Sequence, residues 1–337
     1  MRLITFKPKR GVAARIGVML DDANAVDIGE VAKRARKKLP FDAADMVSLI
    51  ASGKTGLAAI AALLKKYKGK GFKLSAVKLL SPIPQPRKNI FCVGWNYLDH
   101  FEEGAKARPH VQEMPLHPAF FTKASTTMNG PFDDVPAHTG VTEKLDWEVE
   151  LGMIIGKPGR NITEANAMKH VFGFTVINDV SAREIQRRHG QQWFKGKSLD
   201  GHCPMGPWIA TADEVRDPNN LDIRCSVNGV IKQNSNTRHL YFKLPRIIAE
   251  LSAGLTLDSG DIIATGITRL GFSCRRLFLA SRIVAWFFVL GPSCDQPAAR
   301  TLGHGAKRRD CSGHDYHRAD EGATHVKILQ DLRNVIP

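Results

Sequence analysis

From Leu145 to Gly156 the chain reads Leu-Asp-Trp-Glu-Val-Glu-Leu-Gly-Met-Ile-Ile-Gly, with acids at 146, 148 and 150 alternating with Trp147, Val149 and Leu151. Successive side chains on a strand point to opposite faces, so this period predicts one β-strand with three carboxylates projecting together. Such a row repels itself unless it is a solvated edge or holds a cation. Similar apolar runs predict strands at 3–6 and 16–20 with a turn at 21–25, and further strands at 89–93, 119–121 and 171–177. The alternation at 222–233 around Asn228-Gly229 predicts a hairpin. A helical period predicts helices over 42–51, 57–66 and 244–251, with Gly53 and Gly254 as stops. Ser181-Ala-Arg-Glu184 has the form of a capping box and predicts a helix starting at Ser181. The predicted class is α+β and β-rich.

Proline sets the boundaries. Ser81–Lys88 is a Pro-rich connector, which divides a small α+β module, 1–80, from a larger body at 89–266. A segment of different character follows at 267–337. Composition adds little: 43% of the 337 residues are hydrophobic and 24% charged, as in ordinary globular chains. The net charge of +15 is spread along the chain. No basic strip interleaved with aromatics occurs, so neither nucleic acid nor a membrane is an expected partner. The six cysteines show no CxxC spacing, and the first residues lack the apolar run of a signal peptide. Reduced thiols in the cytoplasm are the expectation.

Several residue groups carry candidate chemistry. Hard carboxylate oxygens at Glu148 and Glu150 suit Mg²⁺, Mn²⁺ or Ca²⁺ better than zinc. Asp179, at the carboxyl end of the 171–177 strand, is placed to be a third ligand. His100 and Glu103 are three apart and share a face if a helical turn starts near Tyr97. A carboxylate beside an imidazole fixes its tautomer and raises its basicity; Glu102 is the other candidate for that role. Lys123 and Ser125 follow a short strand at a place where a pocket could form. Arg183 and Gln186 share one helix face. The Gly- and Pro-dense loop 193–207 carries Lys195 and Lys197.

In order, the chain contains Gly94/Asn96-Tyr97-x-x-His100-x-x-Glu103, Glu148-x-Glu150-Leu-Gly, Asn178-Asp179-x-Ser-Ala-Arg183, Lys195-Gly-Lys197-Ser and Gly260-Asp261-x-Ile-x-Thr265-Gly266. Together these resemble the fumarylacetoacetate hydrolase family over roughly 88–266. The resemblance implies a catalytic domain of mixed rolled β-sheets, a homodimer, and a Mg²⁺ or Mn²⁺ site with Glu148, Glu150 and Asp179 as ligands. It implies that His100 and Glu103 activate water and that Lys197 stabilises an oxyanion. It also implies that Lys123, Arg183, Gln186 and Thr265 hold substrate, with Asp146 only a neighbour. The expected reaction is hydrolysis of a C–C bond in a 2,4-dioxo acid of acylpyruvate or fumarylpyruvate type, as in aromatic catabolism. The alternatives are a 2-oxo dicarboxylate decarboxylase, isomerase or hydratase, a ureidoglycolate-type lyase, or a catalytically impaired member.

Impairment enters because the pattern stops. After Thr265-Gly266 the family continues Thr-Pro-x-Gly-Val-Gly, whereas this chain reads Ile-Thr-Arg-Leu-Gly-Phe. Residues 268–337 hold 2 Lys and 9 Arg, against 22 Lys and 15 Arg in the first 267. A frameshifted or replaced segment from about 267 is expected. Translating the gene in its other two frames past that codon tests this.

Overall fold

The structure is a computed structural model that describes residues 1–8, 12–98, 114–190 and 192–267, with the backbone of 285–290 and 325–327. The strands of the first module are β1 (Arg2–Lys7), β2 (Arg15–Met19), β3 (Asn24–Asp27), β4 (Phe72–Lys73) and β5 (Lys78–Leu79). The body contributes β6 (Ile90–Gly94), β7 (Ala119–Lys123), β8 (Met128–Asn129), β9 (Asp134–Pro136), β10 (Leu145–Asp146), β11 (Val149–Ile155), β12 (Val171–Asn178) and β13 (Ser181–Ala182). It continues with β14 (Cys203–Thr211), β15 (Asp222–Val227), β16 (Val230–Asn236), β17 (Ile262–Ala264), β18 (Ala285–Leu290) and β19 (His325–Lys327).

Among the described residues, twelve strands form one mixed sheet in the order β4-β3-β2-β1-β14-β12-β11-β17-β6-β7, with β5 on β1 and β8 on β14. The Pro-rich connector therefore joins two parts of a single sheet. The contact is direct: Leu3 faces Ile209 and Arg2 faces Ala210 across the β1–β14 ladder. β15 lies between β16 and β18 in a separate three-stranded sheet. Asn228 and Gly229 both have positive φ, 52° and 76°, as a two-residue hairpin turn requires.

Alternate residues of the large sheet enter two apolar clusters. On β11, Leu151, Met153 and Ile155 pack with Phe174, Trp208 and the helix Leu244–Ser252. Ile154 joins Ile177, Ile209, Ile262 and Cys92 with the helix Met46–Lys66. Each fully buried aliphatic side chain contributes about 1.5–3 kcal/mol. The central strands are covered on both sides, so β11 and β12 read as apolar runs away from the acids. By length and composition Met46–Lys66 passes for a membrane span. Its Met46, Val47, Leu49, Ile50 and Ile60 are nevertheless core residues, and Gly53 interrupts it with φ 54° and ψ −133°.

Three local expectations need correction. The first of the two helices expected in this stretch begins at Met46 rather than at 42, because Asp45 is the cap that accepts from Val47 N at 2.9 Å. Asp42 closes a preceding turn onto Ala44 N. The helix Ile28–Arg34 was not foreseen, although Asp27 caps it by accepting from Glu30 N at 3.0 Å. The helix expected from Ser181 starts at Arg183 without a side-chain cap. Ser181 is instead paired with Asp146 across β10–β13, and its hydroxyl donates to Asp179 O at 3.0 Å.

Candidate metal centre

The three acids are not on the one strand expected: Asp146 lies on β10 and Glu150 on β11, with Trp147 and Glu148 between the two strands, and all three acids are buried. Asp146, Glu148 and Glu150 are 1–3% exposed, and Asp179 is 0% exposed. This excludes a solvated strand edge. β11 and β12 are antiparallel, with Val149 opposite Asn178. The next pair outward is Glu148 and Asp179, and Asp179 N donates to Glu148 O at 2.8 Å. Paired residues project to the same face, so the register itself brings Asp179 beside the two glutamates. Asn178 secures the turn by accepting from Glu148 N at 2.9 Å through its side chain. The Asn-Asp pair at the end of the strand was the sequence signal for this contact.

One carboxylate oxygen from each of Glu148, Glu150 and Asp179 lies within 4.8 Å of the others. Burying like charges together is costly unless cations compensate them. Three cations do part of this. Lys197 Nζ donates to Glu148 Oε2 at 2.5 Å and to Asp179 Oδ2 at 2.7 Å. Lys123 Nζ donates to Asp179 Oδ1 at 2.7 Å. Arg183 Nη2 reaches Glu148 Oε1 at 2.5 Å and Asp146 Oδ2 at 2.6 Å. Among the described residues, the Glu150 carboxylate receives one hydrogen bond, from Gly266 N–H at 2.7 Å.

The electrostatics follow from this. Burial, with Asp179 and Glu148 adding to it, holds the Glu150 carboxyl well above the usual range. Burial also lifts Asp146, to about 6, although the Arg183 guanidinium opposes it. Burial works against the charge of Lys197, but Asp179 and Glu148 outweigh it and keep the ammonium protonated beyond the usual lysine range. Four buried acids thus face three cations, the buried Lys123 and Lys197 and the partly exposed Arg183. Three converging hard oxygens fit a divalent cation such as Mg²⁺ or Mn²⁺, whose charge would favour ionising Glu150.

Lys197 ends the short helix Phe194–Lys197, which packs on the helix Arg183–Arg188. A Cβ on Gly196 would lie 2.4 Å from Gln186 N, so only glycine lets the two helices approach this closely. Gln186 Oε1 accepts from Arg183 Nη1 at 3.1 Å, joining those two side chains as their spacing predicted. The Lys197 ammonium also lies 5.1 Å from the Phe121 ring centroid.

Two candidates for holding substrate sit differently. Lys123 is fully buried and has three acceptors: Asp179 Oδ1, Val180 O at 3.1 Å and Lys197 O. Thr265 is also fully buried, and its hydroxyl donates to Leu151 O at 2.9 Å. Both side chains face protein groups here. His100 and Glu103 lie outside the described residues.

A family profile described as fumarylacetoacetate (FAA) hydrolase C-terminal matches residues 89–305, extending past the break in pattern at 267. Oxaloacetate tautomerase YisK of Bacillus subtilis is 40% identical over 263 residues, spanning 74% of this chain and 84% of that protein. The mitochondrial oxaloacetate tautomerase fahd2 of Xenopus laevis is 38% identical over 272 residues, 79% of each chain. Among solved structures, a fumarylacetoacetate hydrolase from Exiguobacterium antarcticum matches with TM-score 0.67 and 30% identity, covering 99% of this chain and 100% of that one. Maleylpyruvate hydrolase from Sphingobium sp. SYK-6, in complex with manganese(II) ion and pyruvate, matches with TM-score 0.66 and 29% identity, covering 98% and 99%.

Proposed function

Because this chain belongs to the fumarylacetoacetate hydrolase family, we propose that it processes a 2-oxo acid through its enol form at a divalent-metal centre. Glu148, Glu150 and Asp179 would hold the ion. The reaction we assign is keto–enol interconversion of a 2-oxo dicarboxylic acid such as oxaloacetate. The observation that carries this reading is the buried cluster of three carboxylates, with oxygens within 4.8 Å of one another, ringed by Lys123, Lys197 and Arg183. The tautomerase relatives support the choice of reaction.

When bound, the ion supplies Lewis acidity that acidifies the C–H beside the oxo group. The protein residues do the rest. Arg183 orients the substrate carboxylate through a charge-assisted hydrogen bond. Lys197, held protonated, donates to the oxygen on which negative charge develops, as preorganised donors do. Burial keeps water from weakening both contacts. We assign the proton transfer to His100, oriented by Glu103.

Hydrolysis of a C–C bond in a 2,4-dioxo acid is the second reading, favoured by the likeness to maleylpyruvate hydrolase and by the His100–Glu103 spacing. In both readings the chain works as a homodimer in the cytoplasm with Mg²⁺ or Mn²⁺. The segment from about 267 is read as a replaced C-terminus that lowers activity. A deuterium-exchange experiment separates the reactions. With Mn²⁺ in D₂O, faster exchange at C3 of oxaloacetate without loss of substrate supports the tautomerase. Release of pyruvate from an acylpyruvate supports hydrolysis. Protein that binds Mn²⁺ and does neither overturns both.

A further inference from the structure

Asp146 precedes the candidate ligands by two residues and has no part in the reaction described above. Its geometry is nonetheless specific. Oδ1 accepts from Trp147 N at 3.0 Å. Oδ2 accepts twice from Arg183, from Nε at 2.9 Å and from Nη2 at 2.6 Å. A guanidinium carries five N–H donors in a fixed plane. Asp146 takes two of them, Glu148 takes the second Nη2 proton, and Gln186 takes one from Nη1. One Nη1 N–H therefore has no partner among the described residues, on a side chain that keeps 13% of its surface exposed.

Asp146 also limits how Arg183 meets Glu148. Without that carboxylate the same edge of the guanidinium is free to turn onto Glu148 as a two-bond pair, the geometry arginine and carboxylate favour. It would then compete with Lys197, which holds Glu148 Oε2 at 2.5 Å. The β10–β13 bridge sets Asp146 opposite Ser181, two residues before Arg183, so the backbone fixes the anchor.

We propose that Asp146 is a positioning residue for 2-oxo acid binding: it locks the plane of Arg183 so that the remaining Nη1 N–H points to the substrate carboxylate. It sets affinity for the acid and leaves affinity for the ion unchanged. The proposal rests on the metal-centre reading above.

The test uses the full chain, with Mn²⁺ and pyruvate as probes in titration calorimetry. Asp146→Asn keeps the acceptor for Trp147 N and removes the charge. Pyruvate affinity of the Mn²⁺-saturated variant is expected to fall at least tenfold, with Mn²⁺ affinity within twofold of wild type. Arg183→Met is expected to lose pyruvate affinity to a similar degree, and adding Asp146→Asn to it changes little further. Unchanged pyruvate affinity in Asp146→Asn overturns the proposal. So does an equal loss of Mn²⁺ affinity, or a double variant whose losses multiply. If Asp146→Asn does not fold, Asp146→Glu, which keeps the charge but lengthens the arm, reads the same split between pyruvate and Mn²⁺. Wild-type protein that takes up no Mn²⁺ sinks the metal-centre reading and this one with it. Wild type that binds both probes, with a variant that binds them equally well, sinks this one alone.

Discussion

The Lys123 ammonium donates to Asp179 Oδ1 at 2.7 Å, and neither side chain has any exposed surface. The same ammonium reaches Val180 O and Lys197 O. It therefore ties the end of β7 to the turn after β12 and to the helix that carries Lys197. Removing Lys123 leaves Asp179 with Lys197 alone, an ammonium it already shares with Glu148. Lys123→Met is expected to cost about 3–5 kcal/mol of stability. Urea unfolding measures this, and a loss below about 1 kcal/mol would show that Asp179 finds another partner at no cost.

Glu150 has a different balance. Its carboxylate is buried beside Asp179 and Glu148, with one backbone N–H as its hydrogen-bond partner among the described residues. Burial and two acidic neighbours already hold this carboxyl above the usual range, so ionising it costs the metal-free fold stability; Glu150→Gln removes that cost and removes a proposed ligand of the ion. The variant is expected to melt higher than wild type in chelator and to bind Mn²⁺ at least tenfold more weakly. Sites built for function commonly trade stability in this way. Paired melts with and without Mn²⁺ check both halves, and an unchanged Mn²⁺ affinity removes Glu150 from the ligand set.

Gly196 sits where two helices touch. The Cβ of Gly196→Ala would meet Gln186 N at 2.4 Å and Gln186 Cα at 2.6 Å, both backbone atoms that cannot swing aside. Overpacking of this kind costs about 1–3 kcal/mol. The displaced helix carries Lys197, so turnover is expected to drop at least tenfold, more than the stability loss alone would produce. Full turnover in a folded Gly196→Ala protein would mean that Lys197 tolerates the shift.

His202 supplies a second pH dependence, from a group that is not a candidate metal ligand. Its side chain is buried. Nε2 meets Pro136 O at 2.9 Å, and Nδ1 has no partner among the described residues. Burial pushes its pKa down to about 3. Between that value and about 6.5, the unfolded chain binds a proton that the folded chain refuses. Stability from this group is complete above about 6.5 and declines by about 1.4 kcal/mol per unit as the pH falls towards 3. His202→Gln, which can keep the donor to Pro136 O, is expected to flatten that part of the curve. Urea midpoints at pH 7.5, 6.5 and 5.5 for both proteins test this; parallel curves would mean that the imidazole is protonated in the fold.

The sequence alone determined what depends on near neighbours. Period-two alternation grouped the acids at 146, 148 and 150, although the single strand it predicted is broken at Trp147 and Glu148; Asn228-Gly229 placed the hairpin turn, and i, i+3 spacing joined Arg183 to Gln186, because strand, turn and helix geometry act over a few residues. The order of the motifs also identified the family. Tertiary structure decided which of two sheet clusters each side chain entered and whether the acids met water or protein. It drew Ser181 from its expected cap into a bridge with Asp146, gave Lys123 and Thr265 protein acceptors, and fixed Arg183 on an aspartate 37 residues earlier. Such contacts depend on sheet register and burial. A charge in low dielectric takes whatever partner the fold brings within about 3 Å, however distant in sequence.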